Sequence, residues 1–146
     1  QGGLSAGERL GVIGMGLFGQ MLARLGRAFG AEVAGVAKHP HQITTAKAVC
    51  AQVCSPSGEL VEGDGAVEPT GGFPWGTTDV AVIAITGDQT AAVRLAGRML
   101  RDRGTLVILG RGWANIDFRE EMFKKELTVR NTTLLRPRPA PKMNSP

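Results

Sequence analysis

The chain has 146 residues, 42% hydrophobic and 21% charged, with 21 glycines and no tyrosine. That suffices for one domain with a real core, and the glycine content suits a fold of tight turns and close backbone approaches, whereas bulk disorder is excluded. A net charge of +4 with few aromatic residues argues against a nucleic-acid surface, and no apolar run nears the roughly 20 residues that cross a membrane.

The first residues, Gln1-Gly2-Gly3-Leu4-Ser5, lack the basic and apolar regions of a signal peptide and carry no Met. They read as a processed or excised start, with a cytoplasmic location as the default. Leu10 to Gly14 is apolar on both faces, as a buried parallel strand should be. Phe18, Met21, Leu22, Leu25 and Phe29 then recur at three and four residues, one face of a helix that Gly30 closes. Glu32 to Ala37 gives a second strand, Ile43 to Cys50 a short helix, and Ala51 to Cys54 a third strand. Cys50 and Cys54 lack the two-residue gap of zinc ribbons and redox pairs, so they read as two buried thiols and no metal site is expected.

From 55 to 78 the prolines and glycines suggest loop, with at most one helical turn near Leu60. "DVAVIAI", from Asp79, is a fourth buried strand. Asp88 is placed to cap the next helix, whose inner face would hold Ala92, Val93, Ala96, Met99 and Leu100. Arg98, Arg101 and Arg103 gather at its C-terminal end, favourable for the helix dipole. "TLVILG", 105 to 110, is a fifth strand, 118 to 125 a short helix, and "LTVRN", 127 to 131, a sixth strand. The domain is expected to span 1–135. Residues 136–146, "RPRPAPKMNSP", form a basic, Pro-rich tail expected to be extended or disordered, since proline cannot pair within a sheet.

The most informative stretch is Gly14-Met15-Gly16-Leu17-Phe18-Gly19, set directly after a strand and directly before a helix. A dinucleotide-binding turn makes one demand of each glycine: Gly14 for the sharp turn, Gly16 for approach of a pyrophosphate to the backbone, and Gly19 for helix–strand packing. The N–H groups of Leu17 and Phe18 then face the phosphates. No Gly-Lys-Ser/Thr follows, so this is not a P-loop. NAD sites usually end the second strand on an acid that accepts hydrogen bonds from the ribose hydroxyls; here stand Ala37, Lys38 and His39. A small residue followed by positive charge suits the extra phosphate of NADP better than a bare ribose.

Beyond these residues, the chain resembles the cofactor domain of the medium-chain dehydrogenase/reductase family, the zinc-type alcohol dehydrogenases and their relatives, from about Leu4 to Thr133. The resemblance lies in "LSAGERLGVIGMGLFGQMLARLGRAFGAEVAGV", in "DVAVIAITG", and in "LRDRGTLVILGRGWANIDF" followed by "FKKELTVRNT". It implies an α/β, doubly wound Rossmann fold with a six-stranded parallel sheet in the order 3-2-1-4-5-6. It also implies nicotinamide-side contacts near Thr86, Gly87, Leu109 and Gly110, and a homodimer through the sixth strand. Family members carry a catalytic domain holding either zinc ligands or substrate residues, and nothing of it is here. The implied reading is an NADP- or NAD-binding domain of an oxidoreductase that by itself binds cofactor and catalyses nothing; any zinc would belong to the absent domain. A non-catalytic nucleotide-binding sensor or regulatory module on the same fold is the other reading, since fold does not fix function. A methyltransferase using S-adenosylmethionine ranks third, because it too would want an acid after strand two.

Overall fold

In the computed structural model, residues 4–54, 75–117, 119 and 124–132 are described. The first strand, β1 (Arg9–Ile13), leads through the glycine turn into α1 (Leu17–Ala28), then β2 (Glu32–Val36), α2 (Pro40–Val49) and β3 (Gln52–Cys54). The chain continues with β4 (Thr78–Ile83), β5 (Gly87–Asp88), α3 (Thr90–Met99), β6 (Leu100–Leu109), β7 (Gly112–Trp113) and β8 (Thr128–Thr132). Six strands form one sheet in the order β3-β2-β1-β4-β6-β8, all paired in parallel. Because β5 and β7 are two-residue strands paired only with each other, this is the expected 3-2-1-4-5-6 order. The structure departs from expectation at the margins. The helix α2 begins at Pro40 rather than Ile43, and β6 begins at Leu100, so that Arg101 and Arg103 lie on a strand and only Arg98 is in the last turn of α3. The expected turn near Leu60, most of the 118–125 helix and the 136–146 tail lie outside the described residues.

The sheet is apolar on both faces because each face is covered. Leu10, Val12, Val33, Val80, Val82, Val107 and Leu109 share a cluster with Ala23 of α1 and Ala46 of α2. Ile13, Ala34, Val36, Ala81, Ile83 and Leu106 share the other with Ala92, Val93, Leu95, Ala96 and Met99 of α3. Helices on both faces of a parallel sheet define the doubly wound arrangement. Each such valine or leucine contributes about 1.5–3 kcal/mol on burial. Cys50 and Cys54 are free thiols within these clusters, and burial pushes both up to about 12, so neither is a thiolate near neutral pH.

One correction concerns α1. Of the periodic face, Leu22 packs against the core, whereas Phe18, Met21, Leu25 and Phe29 do not enter it; with Leu17 these four are between 55% and 73% exposed. The buried side is instead Gly19, Ala23 and Gly26. The reason is space: the sheet below presents bulky Leu10 and Val33, and a Cβ on Gly26 would lie 2.6 Å from Leu10 Cδ2. Only small residues let the helix settle, so the large ones point out. Arg27 reaches toward α2, its Nη1 donating to the Ala48 carbonyl at 3.4 Å, which puts the apolar stripe largely on the other flank of α1.

The N-terminal ends of three neighbouring strands are pinned by one carboxylate. Asp79 accepts the Arg9 N–H at 2.8 Å and the Arg101 Nε–H at 2.6 Å. Burial works against its charge, but the Arg9 N–H and the Arg101 guanidinium outweigh it and hold the carboxyl below its ordinary value. Its contribution is therefore complete above the unfolded carboxyl's pKa of about 3.9 and is lost as pH falls through the lower folded value. Asp79→Asn should cost about 1–2 kcal/mol at pH 7, an allowance for partial exposure included, with the gap closing toward pH 3. Urea melts at pH 7 and pH 3 measure both. A gap equal at the two pH values would contradict this role.

At the far end of α3 the Lys125 ammonium donates to the carbonyls of Gly97 and Leu100, at 2.7 and 2.6 Å. It satisfies carbonyls that the helix end leaves without partners.

Candidate functional site

β1, β2 and β4 stop in register, Ile13 opposite Val36 and Ile83. The chain leaves β1 toward β2 on one side, while β4 lies on the other, so a crevice opens above the C-terminal end of β1. This is the topological switch point where open α/β sheets bind ligands. A cavity of about 550 Å³ sits there. Its floor is the glycine turn from Gly14 to Phe18; one wall is Lys38, His39 and Gln42; the other is Ala84 to Thr86 with Asp88, Ala91 and Leu95.

The three glycines differ in what surrounds them. Gly14 has φ of +96°, and a Cβ there would strike Ile85 and the Ala84 carbonyl. A Cβ on Gly16 would meet nothing within 4 Å, which leaves the backbone open to the cavity. A Cβ on Gly19 would collide with the Gly14 carbonyl oxygen. Gln20 steadies the turn, its Nε2 donating to the Met15 carbonyl at 3.1 Å.

The electrostatics favour an anion. Gly16 caps α1 with no side-chain hydrogen bond, and the first turn of α1 holds no acid. The same is true of α2, capped by His39. Both positive helix ends border the cavity with unmasked charge. Among the described residues, Asp88 is the one carboxylate lining it. It accepts the Thr90 N–H at 3.0 Å, and Thr90 hydrogen bonds hold it below its ordinary value. Asp88 thus serves the start of α3 as expected, although the residue at the cap position itself is Gln89.

Of the expected site residues, Gly14, Gly16, Leu17, Phe18, Lys38, His39 and Thr86 line the cavity. Gly19 lies behind the turn as a packing residue. Ala37 does not open space; it is buried, with its N–H bonded to the Cys54 carbonyl at 3.0 Å. Leu109 is also core, and Gly87 and Gly110 are exposed outside the cavity lining. Gly87 instead joins the loops after β4 and β6, through its pairing with Gly112. Sequence reading missed Gln42, a polar residue with no motif around it, and Met15, fully buried beneath the turn. Among the described residues no group of three or more His, Cys, Asp or Glu is placed to hold a metal ion, and no helix is long and apolar enough to cross a membrane.

No family model matches the chain, and no curated protein matches it by sequence. Solved structures do. A protein assigned as a zinc-binding dehydrogenase of Sinorhizobium meliloti 1021, bound to NADP, aligns over 90% of this chain at a TM-score of 0.70 and 24% identity. An alcohol dehydrogenase of Thermus sp. ATN1 aligns over 90% at 0.69 and 21%. The fold that these structures share with the chain is a doubly wound Rossmann domain. An acetophenone reductase of Geotrichum candidum, in complex with NAD, aligns over 89% at 0.62 and 16%. This Rossmann domain covers only 39%, 37% and 35% of those three chains.

Proposed function

We propose that the chain is the dinucleotide-binding part of a medium-chain dehydrogenase-type oxidoreductase, and that it prefers NADP. The observation that carries the reading is the open backbone at Gly16, where α1 starts, which borders a cavity above the switch point together with the start of α2, with no acid in the first turn of either helix. The Gly14–Phe18 turn would hold the pyrophosphate. Lys38, on the loop after β2, would meet the 2′-phosphate, and Thr86, which also lines the cavity, would border the nicotinamide end. When bound, the cofactor would supply hydride chemistry; the chain's own residues would bind and orient it. That two of the similar structures are described with NADP or NAD supports the dinucleotide.

The outward stripe on α1 supports a larger parent. Five large apolar side chains on one helix are a surface that the rest of such an oxidoreductase would cover. Met21→Glu with Leu25→Glu should therefore leave the melting temperature of this chain nearly unchanged while sharply reducing its binding of a hydrophobic dye. A large loss of stability would show instead that the stripe is core. The exposed edge strand β8 offers the place for pairing with a second copy.

The cofactor preference is tested by titrating NADPH and NADH side by side, with and without Lys38→Ala. The reading expects a salt-sensitive preference for NADPH, reduced about tenfold in the variant, with NADH affinity little changed. Preference for NADH in the unaltered chain would overturn the choice of NADP.

A further inference from the structure

Gln89 is only 2% exposed; among the described residues the other buried polar side chain is Thr78. Gln89 stands at the start of α3, yet its side chain does not cap that helix. The amide turns back instead, and its Nε2 donates to the Ile85 carbonyl at 2.7 Å. Ile85 and Thr86 belong to the cavity wall after β4, and Gln89 itself stands behind that lining. The amide also lies against Gly112 on β7, so closely that a Cβ at Gly112 would collide with it. From this geometry we propose that Gln89 is a positioning residue: it fixes the Ile85–Thr86 wall toward a bound nucleotide and carries the set of that wall to the loop after β6. This rests on the dinucleotide reading above and adds a link from that cavity to a surface outside it.

The loop after β6 lies outside the cavity lining, yet it is tied to the wall along its length. The Gly87 N–H donates to the Arg111 carbonyl at 3.2 Å, and the Gln89 N–H to the Trp113 carbonyl at 2.8 Å. The Asn115 N–H donates to Thr90 Oγ1 at 3.0 Å. These bonds join the loop to residues 87–90, and the Gln89 side chain ties that segment back to Ile85. Ile85 in turn abuts the glycine turn, since a Cβ on Gly14 would lie 2.5 Å from its Cγ2. A nucleotide that presses on the turn or on Thr86 therefore meets the Gln89 amide next, and Gly112 and Trp113 after it. The link is stiff because both ends are polar groups away from water: breaking the bond leaves a buried donor and a carbonyl without partners. Trp113, 59% exposed, is where the path reaches the surface.

The test uses 2′-phospho-ADP-ribose, which is NADP⁺ without its nicotinamide, so that no nicotinamide touches the loop after β6 directly. In the unaltered full chain, the Gln89 side-chain amide protons should exchange with deuterium roughly tenfold more slowly once the probe is bound. Backbone amides 110–115 and the Trp113 indole should show small chemical-shift changes, with the same midpoint as the larger ones at residues 14–18. Gln89→Met keeps the length of the side chain and fills its space without a donor. There the changes at 14–18 should remain, with affinity lowered about fivefold, and those at 110–115 should vanish. Gln89→Glu should behave alike, because a carboxylate cannot donate to the Ile85 carbonyl. A side chain that only stabilised the fold would lower the melting temperature of both variants without separating the two sets of changes. Gln89 exchange indifferent to the probe, silence at 110–115 in the unaltered chain, or changes there undiminished in the variants would each overturn the role of Gln89. The exchange measurement needs no variant, so it stands even where a substitution prevents folding. Failure of both the probe and NADP⁺ to bind the unaltered chain would overturn the dinucleotide reading itself, and this inference with it.

Discussion

Gly19→Ala is expected to destabilise the chain by more than about 3 kcal/mol, enough to consume much of the stability of an ordinary domain. Intrinsic helix propensity predicts the opposite sign, since alanine in a helix is favoured over glycine by roughly 1 kcal/mol. Geometry decides between them. The new Cβ would collide with the Gly14 carbonyl oxygen and lie 2.8 Å from its carbon, both of them backbone atoms. Gly14 cannot swing away, because its φ of +96° and the Ala84 carbonyl behind it hold the turn. α1 would have to lift from β1, opening the cluster around Ala23 and Val12. Chemical denaturation of the variant measures the effect. A stabilised variant would mean that α1 does not approach β1 as described.

Gly16→Val should do the reverse: the fold is kept and the ligand is lost. At Gly16, φ is −72° and ψ −163°, extended backbone that any residue adopts, and a Cβ meets nothing within 4 Å. The melting temperature should stay within a few degrees, as for other substitutions that touch nothing. The branched side chain would stand where a pyrophosphate must approach the backbone. Losing one or two charge-assisted hydrogen bonds lowers affinity for NADPH about 100-fold. Together the two glycines separate fold from function three residues apart. Unchanged NADPH affinity in Gly16→Val would place the phosphates elsewhere.

Much of the fold and of the glycine turn is legible in the amino-acid sequence alone. The turn from β1 to α1 announces itself because three glycines at that spacing, between an apolar run and a helical one, have few other uses. Apolar runs that alternate with helices point to a parallel sheet, and the family resemblance supplies the order of its strands. The exception is α1, whose apolar periodicity normally marks a buried face. There the contact with the sheet belongs to Gly19, Ala23 and Gly26, and periodicity scales give such small residues little weight. Ala37 reads as open space beside the cofactor because it ends the second strand where an acid is usual, yet it continues the ladder into Cys54 and turns inward. Asp79 has no visible role in the sequence beyond opening the fourth strand; its role appears only when β1, β4 and β6 bring Arg9 and Arg101 to it across long sequence separations. Gln42 and the stacked rings of His39 and His41 depend on α2 starting at Pro40, a helix with weak amphipathic pattern.

The most direct test of the central claim is a map of backbone amide chemical shifts as NADPH is added to the chain. The account predicts saturable shifts concentrated at residues 14–18, 38–42 and 84–88, the three segments that enclose the cavity. Absence of saturable shifts, or shifts confined to the outer stripe of α1, would contradict it.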